Sequence, residues 1–319
     1  SIGDPILEMD VLQTGRNGYA EIELNEPRGS TVRVQENAAY YVEIVAGDNG
    51  DARTRLKLLN GTLEVAVDNV TRTSRLEVAT KTATFGVRGT EFDVLTAPDE
   101  SSLLGVRRGR VAVTTSRESR VADAGVAVES VPDRGLNAEP VPNGDFDAYY
   151  DRWAEIRLEI FRSGAATFTQ AYARRYLDTR GNFAAAYRDL IAARPRLEEA
   201  VSGEGGSLGS DMRLRQEVSP AIVTMRSILP LFENTVYRLR ELNRFHDQGI
   251  GRTQIDGRSS EQFFREFTQE EMRLTEQLSE VRTIFRMYRE VEERSFGGLP
   301  GGGSPFNGEG NDILDSMQF

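Results

Sequence analysis

The chain has no cysteine, one histidine, one tryptophan and no apolar run approaching the ~20 residues that span a bilayer. Without cysteine there are no disulfides, thiol nucleophiles or thiolate metal sites, and the redox compartment is left undetermined. His246 lies on a helical stretch, so the N-terminal half can build neither a Ser–His–Asp nor a Cys–His system, nor an imidazole metal centre. No GxxxxGK[ST] or GxGxxG stands between a strand and a helix. Positive charge is also scarce. Against 50 acidic residues there are 39 basic ones, a net charge of −11. Both halves share the deficit, and an acidic surface repels phosphate backbones. Lysine occurs only at Lys57 and Lys81, so the basic residues are almost all arginine, and Arg107-Arg108-Gly109-Arg110 reads as a solvated turn. These absences exclude a nucleic-acid partner and point away from catalysis, with no cofactor, metal or catalytic residue expected. The first residue is Ser1, so a signal peptide or membrane anchor is expected to have been removed or left out.

What is present divides at the hydrophobic period. Residues 1–131 alternate with period two between glycine and Asn-Gly turns, as in Leu63-Glu64-Val65-Ala66-Val67. Many short strands without helical stretches predict an all-β antiparallel sandwich or roll. Residues 132–144, rich in Pro, Asn, Asp and Gly, read as a linker. From 145 to 296 the period is helical. Tyr149, Trp153, Ile156 and Ile160 share one helix face, and the helical pattern that follows should break near Gly181.

The strongest pattern runs through Val218, Ile222, Met225, Leu229, Phe232, Val236, Leu239, Asn243 and His246, in alternating steps of four and three. A matching seam follows through Phe264, Phe267, Glu271, Leu274, Leu278, Val281, Phe285 and Tyr288, opened by a Ser259/Gln262 capping box. Two such seams predict an antiparallel coiled-coil hairpin over about 213–246 and 260–294, with arms of about 45–50 Å. Pro220 is tolerable in a first turn, whereas Pro230 should kink the first arm. Leu229, Phe232, Val236, Leu274, Leu278, Val281 and Phe285 are the partner-binding candidates. Residues 297–319 read as a flexible Gly-rich tail.

One stretch, residues 82–94 (TATFGVRGTEFDV), breaks the strand pattern. Phe85 and Val87 are odd, whereas Phe92 and Val94 are even, and a period-two strand cannot switch parity without a reset. A β-bulge or tight bend at Gly89–Glu91 would provide it, and would bring Arg88 and Glu91 together as an ion pair. Val87, Arg88, Gly89, Thr90, Glu91 and Phe92 are therefore a structural motif. Acids two apart, Glu91/Asp93 and Glu21/Glu23, read as charge on a solvent face.

The same stretch resembles the signature of the FecR domain, close to "a-VRGTEF-V". Asp10–Gly15 with Ala20–Leu24, Asn60–Val65, Gly105–Val113 and Ala124-Gly125 are similar to the family's other blocks, in order. The resemblance covers about residues 1–130. It implies a β-rich, non-enzymatic domain of the bacterial periplasm, in a family whose members relay a signal from an outer-membrane transporter to a cytoplasmic sigma factor. The resulting expectation is two domains, an N-terminal FecR-like β-domain and a C-terminal all-α domain with the hairpin. The first functional reading is a periplasmic scaffold binding envelope proteins or further copies of itself. The second is a FecR-type regulator. The third, a glycan-binding module, rests on Tyr40, Tyr41, Tyr149, Tyr150 and Trp153.

Overall fold

The structure, a computed structural model, describes residues 3, 6, 10–25, 27–46, 52–67, 75–87, 89–203 and 208–296. Arg88 and the 297–319 tail lie outside the described residues. Two compact units are formed, one running to Ser163 and the other beginning at Gly164.

Among the described residues the first unit holds fourteen strands. In chain order they are β1 Val11–Gln13, β2 Ala20–Leu24, β3 Ser30–Val34, β4 Ala39–Ala46, β5 Ala52–Asn60, β6 Thr62–Val67 and β7 Arg75–Ala79. There follow β8 Thr84–Val87, β9 Glu91–Thr96, β10 Ser102–Arg108, β11 Arg110–Thr114, β12 Ser119–Asp123, β13 Val126–Ser130 and β14 Leu136–Pro140. One sheet has the order β1-β4-β5-β7-β8-β11-β12, the other β14-β13-β10-β9-β6-β3-β2. Pairing is antiparallel apart from β5 with β7, which run parallel. Each strand turns every second side chain inward. Val32, Val65, Phe92, Val94 and Leu104 of one sheet thus share a core with Tyr40, Leu56, Val78, Phe85 and Val113 of the other. At Asn60-Gly61 the turn needs glycine: φ is +94°, and a Cβ there would fall on Ala38.

Residues 136–140 form β14 although 132–144 reads as linker, and the units divide at 163/164 rather than there. β14 is an edge strand with only Leu136 buried, and an edge tolerates the exposed Asn137 and Pro140. β12, the edge of the other sheet, buries only Ala122 and carries equally little alternation.

The helices are α1 Phe146–Ile191, α2 Arg194–Ser202, α3 Leu208–Asp247 and α4 Ser260–Phe296. α1 runs through Gly181 without the expected break, since an exposed mid-helix glycine costs only about 1 kcal/mol relative to alanine. α3 begins at Leu208, which places Pro220 deep inside it rather than in its first turn, and it remains one element through Pro230.

Within the second unit α3 and α4 are antiparallel. Arg215 pairs with Glu292, Glu233 with Arg282, Arg240 with Glu271, and Asn243 with Thr268, so partners on α4 fall as those on α3 rise. The apolar seam residues are buried, from Val218 to Leu239 and from Phe264 to Tyr288. Residues 164–191 of α1 add Tyr176 and Phe183, and Phe183 stacks on Phe232 with centroids 4.0 Å apart. Between α3 and α4, β15 Gln254–Ile255 and β16 Arg258–Ser259 form a miniature hairpin whose turn, Asp256-Gly257, has both φ positive. The Ser259 Oγ accepts the Gln262 N–H at 3.3 Å, the N-cap bond expected of that pair.

Candidate functional site

The parity switch at residues 87–92 proves to be a crossing between sheets. β8 pairs with β7 and β11 in one sheet, β9 with β6 and β10 in the other. Phe85 and Val87 face the core from one side, Phe92 and Val94 from the other. Of the two devices expected at Gly89–Glu91, a β-bulge or a tight bend, the bulge is not how the parity changes: the chain changes sheets between β8 and β9, so each parity is inward in its own sheet. A bulge does occur, on the neighbouring strand. Val106 pairs with Phe92 and Arg108 with Glu91, leaving Arg107 as the extra residue.

Gly89 adopts φ +62° with open space around it, so its requirement is conformational. Crowding falls on Gly109, where a Cβ would lie 2.7 Å from Thr90 Cγ2 and 2.8 Å from the Gly89 carbonyl oxygen. Thr90 is buried, and its carbonyl accepts the Val67 N–H at 2.8 Å. Of the motif, Val87, Thr90 and Phe92 are interior, while Gly89 and Glu91 are exposed. The expected Arg88–Glu91 pair involves Arg88, outside the described residues.

The outer face of the second sheet carries a network of buried and half-buried polar groups. Phe146 and Trp153 of α1 pack there on Leu95, Leu103 and Ala127. Around them, donors on the helix meet carboxylates on the sheet. Asp93, only 2% exposed, accepts from the Tyr150 hydroxyl at 2.6 Å and from Arg107 Nε at 2.7 Å. Glu129 accepts from Trp153 Nε1 and from Arg157, which also reaches Asp99 at 3.3 Å. Glu139 accepts the Tyr149 hydroxyl. Arg107 further donates to Asp147 at 3.1 Å and lies 5.0 Å from the Phe146 ring centroid.

Gly105 makes room for this clasp, because a Cβ there would overlap the Tyr150 hydroxyl. Desolvation raises the Asp93 carboxyl above its ordinary range, against the lowering influence of Tyr150 and Arg107. Burial, reinforced by Asp93, likewise pushes the Tyr150 phenol up, so its proton stays in place to donate.

Several expectations are revised here. Asp93 shares the outer sheet face with Glu91, but it lies further along β9, where α1 covers that face, and is buried while Glu91 stays exposed. Arg107 belongs to the clasp rather than to a solvated turn. Ile156 and Ile160, expected on the packed helix face, are 53% and 44% exposed. The face that packs runs through Phe146, Tyr150, Trp153, Arg157 and Phe161. Of the proposed glycan-lining aromatics, Tyr40, Tyr41 and Trp153 are buried, and the hydroxyls of Tyr149 and Tyr150 are engaged. The seven partner-binding candidates, Leu229, Phe232, Val236, Leu274, Leu278, Val281 and Phe285, are all buried. Each is interior to its own unit.

Among the described residues no cluster of three or more histidine, aspartate or glutamate side chains is arranged to hold a metal ion. Nor, among them, is any helix long and apolar enough to cross a membrane.

The fold defines a class first: a β-sandwich unit with the start of α1 laid on one outer face, followed by helices. Comparison then narrows it. Residues 10–112 match the family model described as FecR protein. Two crystal structures, at 2.50 and 1.65 Å, of a protein from Parabacteroides distasonis ATCC 8503 provisionally classed as an anti-sigma factor are similar at 15% identity and a TM-score of 0.37. The alignments cover 44% of this chain and 64% of that one, under two thirds of its length. No curated protein matches the chain.

Proposed function

We propose that the chain is a non-enzymatic regulator of the bacterial cell envelope, a FecR-type protein that acts in the periplasm by binding other proteins and relaying a signal about transport. The observation that carries this reading is the FecR match over residues 10–112, with VRGTEF serving as the crossing that joins the two sheets. The clasp supports it. Asp93 has the buried, perturbed character of a catalytic group, yet it is spent on Tyr150 and Arg107 rather than turned toward a cleft.

The scaffold reading rested on the heptad seam as a docking surface. That seam is consumed inside the helical unit, which favours the regulator. Transcript profiling of the parent bacterium with the gene deleted tests the proposal. The expected result is a change confined to one sigma-factor regulon that includes an outer-membrane transporter, reversed by the wild-type gene. An unchanged transcriptome under transporter-inducing conditions would contradict it.

A further inference from the structure

The chain's only histidine ends α3 where the connector to α4 begins, and it is 5% exposed. His246 Nε2 lies 2.9 Å from the Ser260 Oγ, and the imidazole packs on Phe264 with centroids 4.7 Å apart. Ser260, fully buried, opens α4 and closes the connector upon itself. Its Oγ accepts the Thr253 N–H at 3.0 Å, and its own N–H donates to the Thr253 carbonyl at 2.9 Å. A hydroxyl that already accepts an N–H has its proton to give, and the imidazole nitrogen is the acceptor beside it. A neutral ring with its proton on Nδ1 is the tautomer that completes this arrangement. Three segments meet at one oxygen: the last turn of α3, the connector at Thr253 and the first residue of α4.

We propose that His246 is an acid-released latch: as the neutral acceptor of the Ser260 hydroxyl it fastens the 248–259 connector between α3 and α4, and on protonation it lets that connector open. A proton on Nε2 would make the ring a donor toward Ser260, whose hydroxyl proton would lose its acceptor, and burial leaves the new charge poorly solvated. The charged groups around the ring do not reverse this. Glu261 of α4, with Oε1 at 4.0 Å, and Asp247 of α3 favour the imidazolium, while Arg252 of the connector opposes it. Burial is the largest influence and holds the imidazole below its ordinary pKa. The sign follows from linkage. A base whose folded pKa is depressed gives stability that is full above the unfolded value of about 6.5 and is lost as pH falls toward and through the folded value.

Hydrogen–deuterium exchange of the full chain between pH 7.5 and 4.5, corrected for intrinsic rates, tests the latch, alongside an NMR titration of the single imidazole. The expected result is a loss of protection at Thr253 and its connector neighbours of about two- to tenfold, the range for one net hydrogen bond, tracking the imidazole titration. His246→Gln, which offers a carbonyl acceptor and cannot titrate, should keep that protection across the range. Ser260→Ala should show the low-protection state already at pH 7.5. A connector whose exchange ignores the imidazole titration, or a pH response that persists in H246Q, would overturn the proposal.

Discussion

Two helical stretches of this chain teach opposite lessons about amphipathic spacing. Along α3 and α4 the alternating four-and-three spacing picks out the buried face, with Val218, Ile222, Met225, Leu229, Phe232, Val236 and Leu239 all interior. Along the start of α1 the same kind of spacing picks the wrong face, and Ile156 and Ile160 point outward. The difference lies in what each helix packs against. A helix in a bundle inserts aliphatic ridges into another helix's grooves, so its aliphatic residues mark the contact. The start of α1 lies on the outer face of a sheet that presents carboxylates, and its contact is made by aromatics and arginine that carry donors.

The largest test of that contrast sets the two kinds of interior against each other. Phe161→Ala, on the true packed face of α1, should cost about 3–5 kcal/mol in denaturant unfolding. A comparable loss is expected in the second unit when the fully buried Glu233 is removed from Arg282, because breaking one side of an interior ion pair costs about 3–5 kcal/mol. The double variant Glu233→Leu/Arg282→Met should recover most of it. If it proved as unstable as the single variant, the pair would be holding something besides each other.

Next in size is Gly105→Ala, whose methyl would overlap the Tyr150 hydroxyl and should cost about 1–3 kcal/mol. Tyr150→Phe removes the clashing oxygen, so the combination should cost less than the sum of its parts. Strict additivity would mean that the clasp is not where it is described. Gly257→Ala, at φ +83° in the connector turn, should cost about 1–2 kcal/mol. At the small end, Ile156→Ser should stay within about 0.5 kcal/mol of wild type by thermal melt. A large effect there would restore the aliphatic face as the packed one.

The sequence was most legible where one periodicity governs. The inward strand residues and the α3–α4 seam could be read because each obeys a single repeat over its whole length. The edge strands β12 and β14 could not, since an edge buries one residue in five and leaves no alternation to detect. The miniature hairpin carries a strong two-residue turn signal in Asp256-Gly257, but its strands, two residues each, are too short to show alternation. The clasp was out of reach, because Asp93 and Tyr150, or Glu129 and Arg157, are brought together only by the fold. The parity switch was visible, but parity alone does not distinguish a bulge within one sheet from a crossing between two.

That crossing is the claim on which the description of the β unit depends, and cross-strand nuclear Overhauser contacts test it most directly. Residues 84–87 should show contacts to 76–79 and 111–114, and residues 91–96 to 62–66 and 102–108. Finding both halves of the motif against the same neighbouring strand would mean that the segment never changes sheets, and would contradict the account.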